Sequence, residues 1–548
     1  MENVEIGKTG KMTIENLTEG MYEDARIIFR EYIQNSADQI DLSQRDEIFG
    51  SEKLKIDITI DSLNGDIEIF DNATGIKSEE VAELLGNIAY SSKIRGESKG
   101  FRGIGRLGGL AYCDTLCFTT TYLGEHIMTT MKWEAKKLRK LLADSSYKEE
   151  VAHLIQSVTS LTYTECDPMD HFFKVELLSI RNENSDLLDI KKVREYIAFN
   201  APVRFESKFL YKSDIKEYIQ EKGYKTNEYE ISVNDETINK KYSTVLHEKN
   251  ESGGKPKMYD EITGIEFQEF KNKEDEMLAW MWYGISRFER QIPYPTNQFA
   301  GIRLRQHNIQ IGDEQTLRKF HKEARGYLYF VGEVHAVHPE LTPNGRRDYF
   351  NESETRVELE SALDVFFKET LSQVYRRASD VKLAHKAEED LLKLEKEKQN
   401  KKFVNHQEQE DFVKKLESAQ NKAEEGKRKL ERINEKFSGN EVFEKVFSNI
   451  EKNHQQKIEK EKLIVKKEIS PVMIPKKKEK DESKKSSSIF LVDELTQLNK
   501  KDRKLVSRIY AVIKSNLSPG QSTELIEKIQ EDLKNGKKDS ASRAEFQE

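Results

Sequence analysis

Glu31 and Asn35 stand four residues apart in Arg30-Glu-Tyr-Ile-Gln-Asn-Ser-Ala-Asp38, with Asp38 one turn further on. On a helix that spacing puts them on one face. A carboxylate there would orient and deprotonate a water. The amide beside it offers a hard oxygen of the kind magnesium takes. The same spacing also occurs on plain solvated helix faces. In Asp71-Asn-Ala-Thr-Gly-Ile76 an Asp ends a strand-like run and a tight turn follows. Such a carboxylate, turned inward, accepts a hydrogen bond from the exocyclic amino group of adenine; the alternative is an ordinary Asp-Asn turn.

Two further segments lie downstream. Ser98-Lys-Gly-Phe-Arg-Gly-Ile-Gly-Arg-Leu-Gly-Gly109 places Gly100, Gly103 and Gly105, with Ile104 between the last two, in a G-x-x-G-x-G pattern. Glycines let backbone amides close on phosphate. The pattern is not the dinucleotide fingerprint, since a loop rather than a strand precedes it, and no Gly-Lys-Ser/Thr closes it as a P-loop. Tyr90-Ser-Ser-Lys93 supplies the hydroxyls of Ser91 and Ser92 and the ammonium of Lys93, which would meet a nucleotide or simply solvate a loop.

These residues need elements to hold them. Tyr22–Ile40 reads as a helix, with Phe29, Ile33, Ala37 and Ile40 on one face. Residues 55–60 and 66–70 alternate polar and apolar around Asn64-Gly65, a strong hairpin signal. Residues 78–89 open Ser-Glu-Glu and read as a helix. Residues 114–122, 126–133 and 172–178 read as strands. Further on, residues 301–305 and 327–335 are strand candidates and 353–374 is helical.

The chain has 548 residues, 34% charged and 36% hydrophobic, with 90 basic and 98 acidic residues for a net charge of −8. A single uniform globule rarely has that balance; a globular part joined to a charged helical part does. Residues 381–470 hold 22 Lys/Arg and 19 Asp/Glu and no proline. Phe412, Leu416, Ala419, Ala423, Gly426, Leu430, Ile433 and Phe437 recur there at spacings of four and three, a heptad seam. It serves a hairpin within the chain or a coiled coil between chains. No apolar run is long enough to span a bilayer, and the N-terminus has no secretory pattern. Cys113, Cys117 and Cys166 cannot build a disulfide framework or a four-thiolate zinc site. The expectation is a cytoplasmic protein with no membrane segment.

Taken in order and at these spacings, E-x-x-x-N, then D-x-x-x-G after 36 residues, then the glycine stretch after 29 more, the chain resembles the GHKL ATPases over roughly residues 15–180. That family includes gyrase B-type topoisomerases, the ninety-kilodalton heat-shock chaperones, histidine kinases and MutL-type proteins, with the MORC ATPases as relatives. The resemblance implies an α+β class and the Bergerat sandwich of sheet and helices, with ATP and Mg2+ as ligands. It implies Glu31 as the water activator, Asn35 as the magnesium holder, Asp38 nearby, Asp71 as the adenine reader and Gly75 as the residue that keeps the base pocket open. Gly100, Gly103 and Gly105 would line the triphosphate, and residues 91–105 would form a lid. One departure is Ala73, where the family has glycine; alanine restricts the backbone if the site needs φ > 0.

His338-Pro-Glu-Leu-Thr-Pro-Asn-Gly-Arg-Arg-Asp-Tyr-Phe350 resembles the arginine loop of the heat-shock chaperones' middle domain, which implies a catalytic Arg347, with Arg346 as alternative. Both arginines could instead pair with Asp348 and surface acids. The organisation expected is an ATPase domain at 1–200, a transducer-like α/β domain at 201–375 and a charged helical or coiled-coil region at 376–470. A linker at 471–488, a small helical module at 489–536 and a tail at 537–548 complete it. The resemblance implies an ATP-gated homodimeric chaperone-like machine or clamp, of a kind also found in bacterial multi-gene defence systems. Alternatives are a MORC- or MutL-like clamp that touches DNA or RNA through Lys-rich helices, and a scaffold that binds ATP without hydrolysing it.

Overall fold

The computed structural model describes residues 11–18, 24–46, 48, 52–87, 105–225, 227–248, 256–401, 403 and 406–437, with scattered residues between 444 and 455 and between 505 and 529. Two compact units divide the chain: Met1–Ser379 with Asn440–Asn449, and Asp380–Gly439 with Ile450–Glu548. The described helices are α1 (Met12–Thr18), α2 (Ile27–Arg45), α3 (Ser78–Gly86), α4 (Ala135–Ala143), α5 (Val151–Val158), α6 (Ile190–Asn200), α7 (Lys212–Glu221), α8 (Glu354–Val365), α9 (Ser372–Asn400) and α10 (His406–Phe437).

The first unit holds two sheets. Strands β1 (Ile56–Asp61), β2 (Asp66–Asp71), β3 (Cys113–Thr121), β4 (Ile127–Trp133), β5 (Thr159–Glu165), β6 (Phe172–Ile180), β7 (Ile231–Val233) and β8 (Glu236–Thr237) run in the order β5-β4-β3-β6-β2-β1-β7-β8. All neighbours are antiparallel except β1 and β7. The β1–β2 hairpin forms where the alternation and Asn64-Gly65 place it. Gly65 takes φ +76°, and Asp61 accepts hydrogen bonds from the backbone of Leu63 and Asn64.

Helix α2 lies on this sheet. Phe29, Ile33, Ala37 and Ile40 share one core with Ile58, Ile67 and Ile69. Each Phe or Ile among them contributes about 1.5–3 kcal/mol on burial, so the apolar stripe fixes which face of α2 remains for chemistry.

The second sheet is built from β9 (Val245–His247), β10 (Met258–Lys271), β11 (Met277–Ser286), β12 (Gly301–Gln306), β13 (Ile309–Gln310) and β14 (Val331–Ala336), in the order β13-β12-β14-β11-β10-β9. The boundary expected at residue 200 does not separate the sheets, because β7 pairs with β1 and Tyr229, Ile231 and Val233 belong to the first core. The strand expected at 327–335 begins only at Val331. Residues Ala324–Tyr329 wind into 3-10 turns with Tyr327 buried. The helix expected at 353–374 forms: Ser353 accepts from the Arg356 amide at 3.1 Å as its cap, and a wider π turn at Phe366–Leu371 passes the chain into α9.

Glu333 sits at the heart of the second sheet, fully buried. It accepts from Lys240 Nζ at 2.9 Å, Arg305 Nε at 2.5 Å, Tyr242 Oη at 3.0 Å and Trp282 Nε1 at 3.3 Å. Two buried cations hold its carboxyl well below the usual range against the opposing effect of burial. Burial pushes Lys240 down to about 8.

In the second unit Gly426 of α10 packs against Ala384 of α9, and Phe412 and Leu416 cluster with Leu394 and Phe403. The chain's own α9 thus covers these members of the heptad seam. Tyr510 and Ile526 pack with Val506, Ile513 and Ile529 within the expected end module. The linker 471–488 and the tail 537–548 lie outside the described residues. Among the described residues, no helix is long and apolar enough to cross a membrane.

Candidate functional site

A cavity of about 1440 Å³ opens along α2, and Asn35, Asp38, Gly75, Ile76, Leu85, Arg106, Phe118 and Phe173 contribute to its wall. It is larger than the 300–1,000 Å³ typical of small-molecule pockets, because it continues toward the second sheet, where Asn308 and His335 line it.

Asp71 ends β2 and is 1% exposed. Its Oδ1 accepts from the Ala73 amide at 3.2 Å, and the Ser36 hydroxyl on α2 also bonds the carboxyl. Its Oδ2 is buried with no hydrogen-bond partner. Burial pushes the group up to about 6, with the Ser36 and Ala73 bonds opposing it. A buried carboxylate oxygen in need of a donor is what an exocyclic amino group would satisfy.

Gly75 takes φ +69°, and a Cβ there would fall on the carbonyl oxygens of Thr121 and Phe172. Only glycine fits both the backbone and the space. Its neighbour Ile76 donates its amide to Thr120 Oγ1 at 2.9 Å, and that hydroxyl donates to the Phe172 carbonyl at 2.8 Å. Ala73 is fully buried, and its φ is not in the left-handed region. The restriction that alanine imposes therefore does not bear on this turn.

Glu31 is 7% exposed. Gly105 lies directly against it, so that a Cβ on Gly105 would collide with Glu31 Oε2. The 3-10 turn Gly105–Ala111 is pinned to α2 by Tyr32, whose hydroxyl donates to the Arg106 carbonyl at 3.1 Å and accepts from the Gly109 amide at 3.1 Å. From the second half of the first unit, Arg347 Nε reaches Glu31 Oε1 at 3.2 Å, as an ion pair without hydrogen-bond alignment. Arg347 has φ +56°, and its carbonyl accepts from the Gly312 amide at 2.9 Å. Arg346 is exposed and offers only its carbonyl, to Arg30 Nη2 at 3.5 Å. Of the two candidates, Arg347 is the one the fold brings to Glu31.

Asn35, Asp38 and Gly75 thus line the cavity, Glu31, Gly105 and Arg347 meet on α2, and Asp71 is bonded to Ser36 of the same helix. Ser91, Ser92, Lys93, Gly100, Gly103 and Ile104, and the proposed lid apart from Gly105, lie outside the described residues. The sequence reading did not single out Ser36, Tyr32, Thr120 or Arg106. Burial pushes Arg106 down to about 10, and the guanidinium donates to the Asn87 carbonyl. Its place next to Gly105 was the available signal; Thr120 had none, since its partners come from two distant segments. Cys113 and Cys117 lie buried on β3, and burial pushes Cys113 up to about 12, which marks an inert thiol.

Residues 26–166 match the family described as histidine kinase-, DNA gyrase B-, and HSP90-like ATPase. The chaperone protein HtpG of Rickettsia typhi is 29% identical over 272 residues, covering 45% of this chain and 41% of that protein. HtpG of Rickettsia prowazekii is 31% identical over 189 residues, 31% of this chain and 29% of that protein. HtpG of Halalkalibacterium halodurans is 26% identical over 268 residues, 46% of this chain and 39% of that protein. The chain therefore spans less than half the length of these relatives. Residues 26–166 are thus similar to the GHKL ATPases, and the HtpG relatives place that similarity in the HSP90-like branch.

Proposed function

We propose that the chain binds ATP in the cavity beside α2 and hydrolyses it at Glu31, as an ATP-gated, chaperone-like machine. The observation that carries this reading is the meeting of Glu31 and Arg347, from two halves of one unit, on the helix that also lines the cavity. The HtpG relatives support the chaperone-like role. We further propose that it works as a homodimer in the cytoplasm on a polypeptide client.

The residues present fit an adenine nucleotide. Asp71 Oδ2 would accept from the base, Gly75 keeps the floor of the pocket open, and Gly105 keeps the space beside Glu31 clear. Asn35 would give a magnesium ion one protein oxygen, the rest coming from phosphate and water, as is usual for that ion. Magnesium, when bound, neutralises phosphate charge. Glu31 orients and deprotonates the attacking water. Arg347 supplies positive charge where negative charge develops on the transferring group. The guanidinium lies against Glu31 in the structure, so base and cation stand side by side.

The test is magnesium-dependent ATP hydrolysis by wild type, Glu31→Ala and Asp71→Ala, with nucleotide binding measured in parallel. The reading predicts turnover by wild type, binding without turnover by Glu31→Ala, and no binding by Asp71→Ala. Binding without hydrolysis by wild type would move the scaffold reading ahead, and absence of binding would remove the nucleotide function altogether.

A further inference from the structure

Tyr229 lies far from the cavity's reactive end, yet its hydroxyl donates to Asp41 Oδ1 at 2.5 Å, on the same helix that carries Glu31. Glu31 and Asp41 are ten residues apart, about 15 Å along the axis. Helix α2 is therefore held near both ends by later parts of the chain: by Arg347 at Glu31 and by Tyr229 at Asp41.

Both holds trace to one hairpin. His307 and Asn308 form its tip between β12 and β13, at φ +49° and +63°, the two left-handed positions of a type I′ turn. The Asn308 side chain donates to the Asn227 carbonyl at 2.7 Å, two residues before Tyr229. It accepts from Lys240 Nζ at 2.6 Å, which ties the tip to the buried Glu333. Just beyond β13, the Gly312 amide donates to the Arg347 carbonyl at 2.9 Å. The β12–β13 hairpin and the residues next to it thus touch both the backbone of Arg347 and the segment that leads to Tyr229.

We infer that Tyr229 is a positioning residue: its bond to Asp41 fixes the far end of α2 against the segment that leads into β7 and so helps set how Glu31 meets Arg347. The inference rests on hydrolysis at Glu31 as proposed above. Asp71 ends β2, between β1 and β6 within the first sheet, and the backbone next to Gly75 is held by Thr120 and not by the Tyr229–Asp41 bond. Loosening the last turns of α2 therefore lowers the chemical step more than it lowers nucleotide affinity, because Ser36, which bonds Asp71, lies in the middle of the helix.

The experiment is Tyr229→Phe in the full chain, with kcat, nucleotide Kd and hydrogen exchange of residues 38–46 read on the same samples. The expected result is a fall in kcat of about tenfold to a hundredfold, the scale of a small misplacement of reacting groups. Kd should stay within about twofold, since the groups proposed to bind adenine are untouched. Exchange in the C-terminal half of α2 should rise. In an Arg347→Ala background the same change should add no further loss, whereas a merely structural role would multiply the two effects. Asn308→Gly keeps the left-handed turn and removes the amide, and it should lower kcat likewise. Asp41→Asn retains an oxygen acceptor and should keep more of the rate than Asp41→Ala. Wild-type kcat with unchanged exchange in Tyr229→Phe overturns the inference, as does a multiplied loss. If wild type itself does not turn over, the hydrolysis reading falls, and with it the role of Tyr229 in setting Glu31; the exchange of α2 then tells whether the bond holds the helix at all.

Discussion

Arg347 Nε lies 3.2 Å from Glu31 Oε1, and both side chains are nearly excluded from solvent. The base candidate and the cation candidate come from opposite ends of the first unit. A surface pairing would have left them exposed. A pair placed in this way beside a cavity is best explained by chemistry that needs both.

Gly105 should be intolerant of the smallest side chain. A Cβ there collides with Glu31 Oε2 and turns the carboxyl away from its position. Gly105→Ala should reduce ATP turnover by about a hundredfold, the scale of a 1 Å misplacement. Adenine binding through Asp71 should persist. Steady-state hydrolysis with a parallel binding titration checks this, and normal turnover would place Glu31 elsewhere in the reaction.

Nucleotide affinity should depend on pH through Asp71. Burial raises its folded pKa to about 6. An Asp raised in this way binds its proton more tightly in the folded chain, so ionisation of the group reduces stability as pH rises from its ordinary range toward 6. Adenine, as an N–H donor, needs the ionised form. Affinity should therefore weaken as pH falls below about 6, by up to about tenfold per unit. Asp71→Asn should bind more weakly at pH 8 and show a flat profile. Calorimetric titrations between pH 5 and 8 read both.

Glu333 should matter to stability more than any single group near it. Its carboxylate faces Lys240 and Arg305, both buried. Glu333→Gln leaves two buried cations without their counter-charge and should lower unfolding stability by about 3–5 kcal/mol. Denaturant unfolding followed by tryptophan fluorescence measures this, since Trp282 touches the same carboxylate. A loss under about 1 kcal/mol would mean the cations find other partners.

Much of the first domain could be read ahead of the structure because its signals are local. Phe29, Ile33, Ala37 and Ile40 announce α2, and Asn64-Gly65 announces the β1–β2 turn. The β10–β11 hairpin left no such mark. Register shifts break the alternation of β10 at Ile262 and again at Phe270, and β11 is buried on both faces from Leu278 to Ser286, so it shows no alternation at all. Tyr229 and Asp41 are 188 residues apart, and no spacing rule connects them. Arg346 and Arg347 could not be told apart by type; the left-handed backbone of Arg347 is what turns one of them inward. Ala73 does depart from the family pattern, but the φ > 0 that would make alanine costly is taken at Gly75 and not at that position.

The central claim is that Glu31 and Arg347 act together on ATP, and a single-turnover measurement tests it most directly. Wild type, Glu31→Ala, Arg347→Ala and the double variant would each be loaded with ATP and magnesium, and the rate of phosphate release followed. The account predicts that Arg347→Ala binds ATP as wild type does but releases phosphate about 10²–10³ times more slowly. It also predicts that the double variant is no slower than Glu31→Ala alone. A wild-type rate in Arg347→Ala, with ATP bound, would contradict it.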